Sequence, residues 1–147
     1  VVAGEREGKA DVAIAQDGSE ITLFSSSENT GIAVALSIPS RQQYGGTFMG
    51  VGRGMIEEVV HDPVTGVMLN GNLLDYKIAT MLDVGPIETI LVETGMGYGP
   101  YGLVGIGEDI ATVVPALLGP AVHNATGTWI DDFPITPARV QKALGKG

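Results

Sequence analysis

Residues 86–109 read PIETILVETGMGYGPYGLVGIGED, which predicts a strand, a glycine-rich turn and the start of a helix, in that order. A strand is expected over 87–93, because β-branched residues and leucine dominate there. The glycines between 95 and 107 allow tight turns and let a ligand approach the backbone closely. Glu108 and Asp109 suit a helix N-terminus, where the helix dipole favours negative charge. The stretch therefore predicts mixed α and β structure around one glycine turn.

Upstream of this stretch, the sequence predicts two hairpins and one glycine-rich helix. Alternating apolar residues predict a β-hairpin over 9–27 with an Asp-Gly turn, and the polar segment 25–29 is expected to be a loop. Residues 41–55 have apolar side chains at helical spacing, so we expect a helix there. Each interior glycine costs about 0.5–1 kcal/mol in a helix, and such a helix is tolerated only when it packs closely against another element. A second hairpin is expected from strands at 56–60 and 67–69.

Downstream, the sequence predicts two helices. Apolar residues at helical spacing indicate a helix over 109–118, which Pro115 and Pro120 are expected to divide or kink. A last short helix should begin after Thr136 as N-cap, with proline at its first position. We therefore expect one domain over residues 1–147, of the α+β class, in which hairpins and mixed strands pack against two or three helices.

Charge and composition exclude several classes of function. The net charge of −9, with only 8 basic residues, argues against nucleic acid and against an anionic membrane surface as partners. Apolar runs are shorter than the roughly 18 residues of a membrane span, and no signal peptide is evident. With no cysteine and two histidines, a metal site built by the protein itself is not expected. The absence of cysteine fits a reducing compartment, so we expect a cytoplasmic protein.

The first candidate motif is G-Y-G-P-Y-G at 97–102, a literal G-x-G-x-x-G after a predicted strand. Dinucleotide-binding folds use such a loop directly before a helix, with the pyrophosphate at the helix N-terminus. Here Pro100 interrupts the loop and the helix is not expected to begin until about Glu108. A dinucleotide-binding domain is therefore kept only as a weak alternative.

The second candidate motif is the glycine turn that delivers Glu108 to the start of a helix. Glu108 has two interpretations from the sequence alone. It caps the helix and complements the dipole, or it is a general base that points into a pocket lined by glycine backbone. Composition and spacing do not choose between them.

Five segments in the same order resemble molybdenum hydroxylases, the family of xanthine dehydrogenase and aldehyde oxidase. Residues 99–108 are similar to the family pattern G-P-y-G-x-K-G-x-G-E, and 57–66 to E-E-x-x-x-D-P-x-T-G. Residues 72–78 are similar to N-x-L-D-Y-K-I-P. Residues 125–144 resemble the closing A-T-G…L-P-I-T-P-x-x-V-x-x-A-L, and 42–52 resemble the family's glutamine–glycine helix beside the pterin. The resemblance covers nearly the whole chain.

The resemblance implies a role for each matching site residue. Glu108 would be the catalytic base, and Gln42, Gly105, Ile106 and Gly107 would contact a molybdopterin cofactor that holds the molybdenum. The implied reaction oxidises an aldehyde or an N-heteroaromatic substrate with oxygen derived from water. A base in this role needs a dry pocket. FAD and iron–sulfur clusters are expected on partner subunits or domains.

The resemblance also implies what this chain needs around it. The family's molybdenum subunit is several times longer, so we expect the chain to be one lobe of the cofactor-binding domain, inactive alone, with exposed apolar surface. Two positions depart from the pattern: Val104 replaces its lysine and Asp109 its proline. An upstream D-V-G-R-x-x-N-P stretch is reduced to E-N-T-G at 28–31. These departures leave a non-catalytic assembly module of such a complex as the second hypothesis.

Overall fold

The mixed α+β class is confirmed by the computed structural model, which describes residues 9–14, 21–29, 33, 35–95 and 97–145. Two strands, β1 and β2, come first, followed by helix α1, strand β3, and helices α2 and α3. A single π-helical turn extends α1, and a short 3₁₀ turn precedes α2. The bounds are β1 Lys9–Ile14, β2 Ile21–Asn29, α1 Ser37–Val51, π-turn Gly52–Ile56, β3 Ile87–Val92, 3₁₀ turn Pro100–Gly102, α2 Asp109–Thr126 and α3 Pro137–Ala143.

The three strands form one mixed sheet in the order β1-β2-β3. β1 and β2 are antiparallel, which confirms the strands of the first hairpin, whereas its predicted turn at Asp17-Gly18 lies outside the described residues. β3 runs parallel to β2, with Glu28 opposite Leu91. The loop predicted at 25–29 is wrong, because pairing with β3 keeps this polar segment extended as far as Asn29.

Helices α1 and α2 pack closely because glycines on one helix face large apolar residues on the other. Gly46 faces Ile110, and Gly50 faces Val114, four residues further along both helices. A Cβ at Gly50 would lie 2.5 Å from the Val114 Cβ, much closer than atoms can approach. The helix predicted at 41–55 is confirmed, and the expected close packing explains Gly46 and Gly50.

Helix α2 continues well beyond the predicted residues 109–118. It runs through Pro115 and Pro120 as far as Thr126 and ends at Gly127, whose φ is 75°. Each interior proline costs a helix about 3 kcal/mol. Burial of one face offsets this cost, because Val114, Leu118 and Val122 lie in the core. The other core members are Val51, Val84, Ile110 and Ile135.

The second predicted hairpin forms its turn, whereas its two segments pair only next to that turn. Gly66 N–H donates to Asp62 O at 2.9 Å, and one isolated bridge joins His61 to Met68. The pKa of the Asp62 carboxyl is lowered because Thr65 donates to it through its backbone N–H and its hydroxyl, and Val64 through its N–H. Beside the turn the two segments pair antiparallel, because Asp62 N–H donates to Val67 O and Leu69 N–H donates to Val60 O, each at 2.8 Å. The strands predicted at 56–60 and 67–69 thus pair only next to the turn; Ile56 belongs to the π-turn, and neither segment joins the sheet.

The last helix, α3, begins where the sequence predicts. Thr136 is its N-cap and accepts a hydrogen bond from Arg139 N–H at 3.4 Å, and Pro137 is its first residue. Val140 packs against the core. Within the described ranges, every helix is too short or too polar to cross a bilayer.

Candidate functional site

The glycine-rich loop before α2 closes on itself through backbone hydrogen bonds. Gly97 N–H donates to Gly102 O at 3.1 Å, and Gly99 N–H donates to Leu103 O at 3.0 Å. Gly102 N–H donates to Gly99 O at 3.1 Å. The amides that a dinucleotide site would direct at a pyrophosphate are therefore used inside the loop, and α2 begins only at Asp109. This geometry argues against the dinucleotide alternative.

The second half of the loop contacts α1 through Gln42. Gln42 Nε2 donates to Gly107 O at 2.9 Å, across 65 residues of sequence. The structure thus brings together two segments that the sequence could only predict separately. Gln42 is exposed, and its amide group also has an acceptor oxygen, Oε1, and a second N–H.

The glycines next to this contact leave open space. A Cβ added at Gly105 or at Gly107 would meet nothing within 4 Å, and both residues are exposed. Ile106 between them is half-buried. Contacts inside the described part of the chain therefore do not require glycine at these positions, whereas a ligand lying against the backbone would.

Glu108 lies directly before α2, beside the Gln42 contact. Its φ and ψ are −100° and 27°, and its side chain makes no capping hydrogen bond. The carboxylate Oε2 lies 3.9 Å from Nη2 of Arg53, and 62% of the Glu108 side chain is exposed. Capping by a hydrogen bond is thus not its role. The dry pocket expected around a base is not formed by the described residues, so other structure would have to cover Glu108.

Arg53 is the residue near this site that the sequence did not indicate. It belongs to the π-turn after α1, and its side chain is 52% exposed. No local pattern predicts an ion pair between an arginine at the end of one helix and a glutamate at the start of another.

Outside the loop, the segments that resemble the family are joined to one another by hydrogen bonds and an ion pair. Tyr76 donates its hydroxyl to Glu57 Oε2 at 2.7 Å, and this hydrogen bond raises the pKa of the tyrosine. Glu58 Oε1 lies 2.6 Å from Arg139 Nη2, which ties the end of the π-turn to α3. Asn70 Nδ2 donates to Glu58 O at 2.6 Å. These contacts are structural and fix three distant segments relative to one another.

His123 and Trp129 lie apart from these contacts. The rings of His123 and Trp129 stack with centroids 4.2 Å apart, at the end of α2. In the described ranges, no group of three or more histidine, aspartate or glutamate side chains is arranged to hold a metal ion.

Comparison with known proteins identifies the class of domain. Residues 20–85 match the family model of a molybdopterin cofactor-binding domain. The putative xanthine dehydrogenase molybdenum-binding subunit XdhA of Escherichia coli is 40% identical over 99 residues, which cover 67% of this chain and 13% of that subunit. The probable hypoxanthine oxidase XdhD of Escherichia coli is 29% identical over 140 residues, covering 93% of this chain and 14% of that protein.

A solved structure gives the same result at the level of the fold. Quinoline 2-oxidoreductase from Pseudomonas putida 86 superposes with a TM-score of 0.77 and 31% identity, over 88% of this chain and 17% of that chain. The chain therefore belongs to the molybdenum hydroxylase family and corresponds to part of the molybdopterin-binding subunit. It spans between 13% and 17% of the length of these relatives.

Proposed function

We propose that this chain supplies the catalytic base and one wall of the cofactor site of a molybdenum hydroxylase. The enzyme would oxidise an aldehyde or N-heteroaromatic substrate with oxygen derived from water. The observation that carries the proposal is the hydrogen bond from Gln42 to Gly107 O, because it joins the glutamine helix to the loop that ends at Glu108. Xanthine, hypoxanthine and quinoline in the names of the relatives support the N-heteroaromatic class.

The residues present fit a pterin. Gly105 and Gly107 leave open space beside exposed backbone, into which a flat ring system can pack. Gln42 offers its amide oxygen to the N–H groups of such a ring, and Ile106 supplies an apolar contact between the two glycines. When bound, the molybdenum of the cofactor supplies a two-electron oxidant and a Lewis acid.

Glu108 would hold and move the proton in this reaction. A carboxylate is a suitable base when it lies within hydrogen-bond reach of the oxygen that loses the proton. Its backbone is held on both sides, because Gly107 O accepts the Gln42 hydrogen bond and α2 begins at Asp109. Its exposure in this chain is consistent with a site that is completed by the rest of the subunit, which would exclude water and cover the carboxylate.

The same proposal defines the partners. The remainder of the molybdenum-binding subunit would complete the site, and iron–sulfur and flavin subunits would carry the electrons away. A small molecule is the substrate, and the compartment is the cytoplasm. Nucleic acid and membrane are not partners in this proposal, in agreement with the net charge of −9.

A non-catalytic assembly module is the second candidate. Val104 in the position of the pattern's lysine and the exposure of Glu108 favour it. The two candidates share the fold and the partners but differ in turnover, which makes them experimentally separable.

The test uses the chain assembled with the rest of its subunit and its redox partners. Molybdenum and pterin content are measured in the wild type, in Glu108→Gln and in Glu88→Gln, which makes the same change at an exposed position on β3. We expect equal cofactor content in all three and a loss of kcat by about 100-fold or more only in Glu108→Gln. A stable complex without molybdenum or pterin, or full turnover by Glu108→Gln, would overturn the catalytic proposal.

A further inference from the structure

We propose that Arg53 is a positioning residue that holds the Glu108 carboxylate in the orientation needed for proton transfer. This inference rests on the proposed function of Glu108. The two side chains form an ion pair, with Arg53 Nη2 3.9 Å from Glu108 Oε2. They come from different elements, so the pair joins the π-turn after α1 to the start of α2.

The π-turn explains why Arg53 is presented at this place. Glu57 N–H donates to Gly52 O at 2.7 Å, a five-residue spacing that widens the helix locally. Gly52 and Gly54 on either side of Arg53 are buried, and a Cβ at Gly54 would overlap the Leu118 side chain. The flanking backbone is therefore held against α2, while the Arg53 side chain extends outward to Glu108. Such π-turns occur frequently at functional sites.

Among the described residues, Arg53 forms its ion pair with Glu108. Glu57, four residues after Arg53, accepts the Tyr76 hydroxyl at 2.7 Å. Arg53 acts on Tyr76 through its charge, in the direction opposite to that of Glu57. Of these two carboxylates, Glu57 accepts a hydrogen bond from a phenol, and Glu108, the proposed base, forms the ion pair with Arg53.

The strength of this pair depends on its surroundings. Both side chains are more than half exposed here, and ion pairs in that setting contribute little. A cofactor and the rest of the subunit covering this face would lower the local dielectric and strengthen the attraction. Val104 stands where the related pattern has a lysine, and the positive charge that lies near Glu108 is that of Arg53 in the π-turn.

The experiment compares four variants in the assembled, cofactor-loaded enzyme. Arg53→Gln removes the charge, Arg53→Lys restores it, and Arg41→Gln removes an exposed charge elsewhere on α1. Glu108→Gln reports on the base itself. Steady-state kinetics give kcat and KM separately. Labelling of Glu108 by a carbodiimide, followed by mass spectrometry, reports the state of the carboxylate without turnover. Molybdenum and pterin content verify assembly.

We expect Arg53→Gln to lower kcat roughly tenfold, with KM changed less than about twofold, and to speed up labelling of Glu108. Arg53→Lys should recover most of both effects, and Arg41→Gln should match the wild type. Wild-type kcat and labelling in Arg53→Gln, while Glu108→Gln is inactive, would overturn the role of Arg53 alone. Full activity of Glu108→Gln would overturn the proposed function and this inference together.

Discussion

Gln42 and Gln43 are neighbours on α1, but their amide groups donate to different parts of the molecule. Gln42 is exposed and donates to Gly107 O, whereas Gln43 is fully buried and donates to Ile90 O in β3 at 3.2 Å. The difference follows from the helix, because consecutive residues point about 100° apart. Only Gln42 is therefore available to a ligand, while Gln43 fixes α1 to the sheet behind the site.

The open space at Gly107 gives a residue-scale prediction. Gly107→Ala adds a methyl group that meets nothing in the described chain, so the fold should be unaffected. If a pterin packs against this backbone, the methyl group should reduce the molybdenum and pterin content of the assembled enzyme several-fold. The measurement is metal and pterin analysis beside the thermal unfolding midpoint.

Gly71→Ala is the matched control for this prediction. Gly71 is also exposed, and an added Cβ there would meet only Met68 Sδ at an ordinary 3.5 Å. We expect wild-type cofactor content in this variant. Normal cofactor content in Gly107→Ala would show that the pterin does not lie at this position.

At the scale of elements, the contact between α1 and α2 leaves no room for an added side chain at Gly50. Gly50→Ala places a Cβ 2.5 Å from the Val114 Cβ, and both backbones are held by their own helices. We expect a loss of about 1–3 kcal/mol in the free energy of unfolding, as is typical of overpacked cores. Thermal unfolding of the purified protein measures the effect.

Gly45→Ala provides the comparison on the same helix. A Cβ at Gly45 meets nothing within 4 Å, and the residue is exposed. Alanine should therefore stabilise the helix by about 0.5–1 kcal/mol. Equal stabilities of the two variants would contradict the glycine-mediated packing.

Elements that are determined by residues close together in the sequence could be predicted. β3 follows from its β-branched residues, and α3 from Thr136 followed by proline. The extension of α2 beyond Pro115 could not, because burial of Leu118 and Val122 overrides the local cost of proline. Elements that depend on contacts between residues far apart in the sequence could not be predicted from local patterns.

The same limit of prediction from local sequence patterns applies to the polar end of β2 and to the site. The serines of β2 favour a loop, but they pair with β1 on one side and with β3, far along the chain, on the other. The pairing with β3 continues to Asn29. Glu108 was singled out from the glycine turn before α2, and Gln42 through the resemblance, which alone implied a role for each of them. Arg53 was missed because no spacing rule relates it to Glu108, and only the fold brings the two within 3.9 Å.

At the scale of the whole molecule, large apolar side chains are exposed along the segment 73–82. The residues concerned include Leu73, Leu74, Ile78, Met81 and Leu82. Apolar surface that is concentrated in this way usually marks an interface. The relatives are several times longer than this chain, which spans 13% of the Escherichia coli subunit XdhA. We therefore expect the remainder of the subunit to cover this segment.

Leu82→Glu tests that expectation, because Leu82 is 97% exposed and makes almost no contact whose loss could unfold the chain. A carboxylate buried at an interface without a partner is strongly unfavourable, so the variant should assemble poorly with the remainder of the subunit. Gln141→Glu adds the same charge on the exposed surface of α3 and should assemble normally. The yield of complex by size-exclusion chromatography distinguishes them. Equal yields would mean that residue 82 faces solvent in the enzyme, and the covering surface would then have to lie elsewhere on the chain.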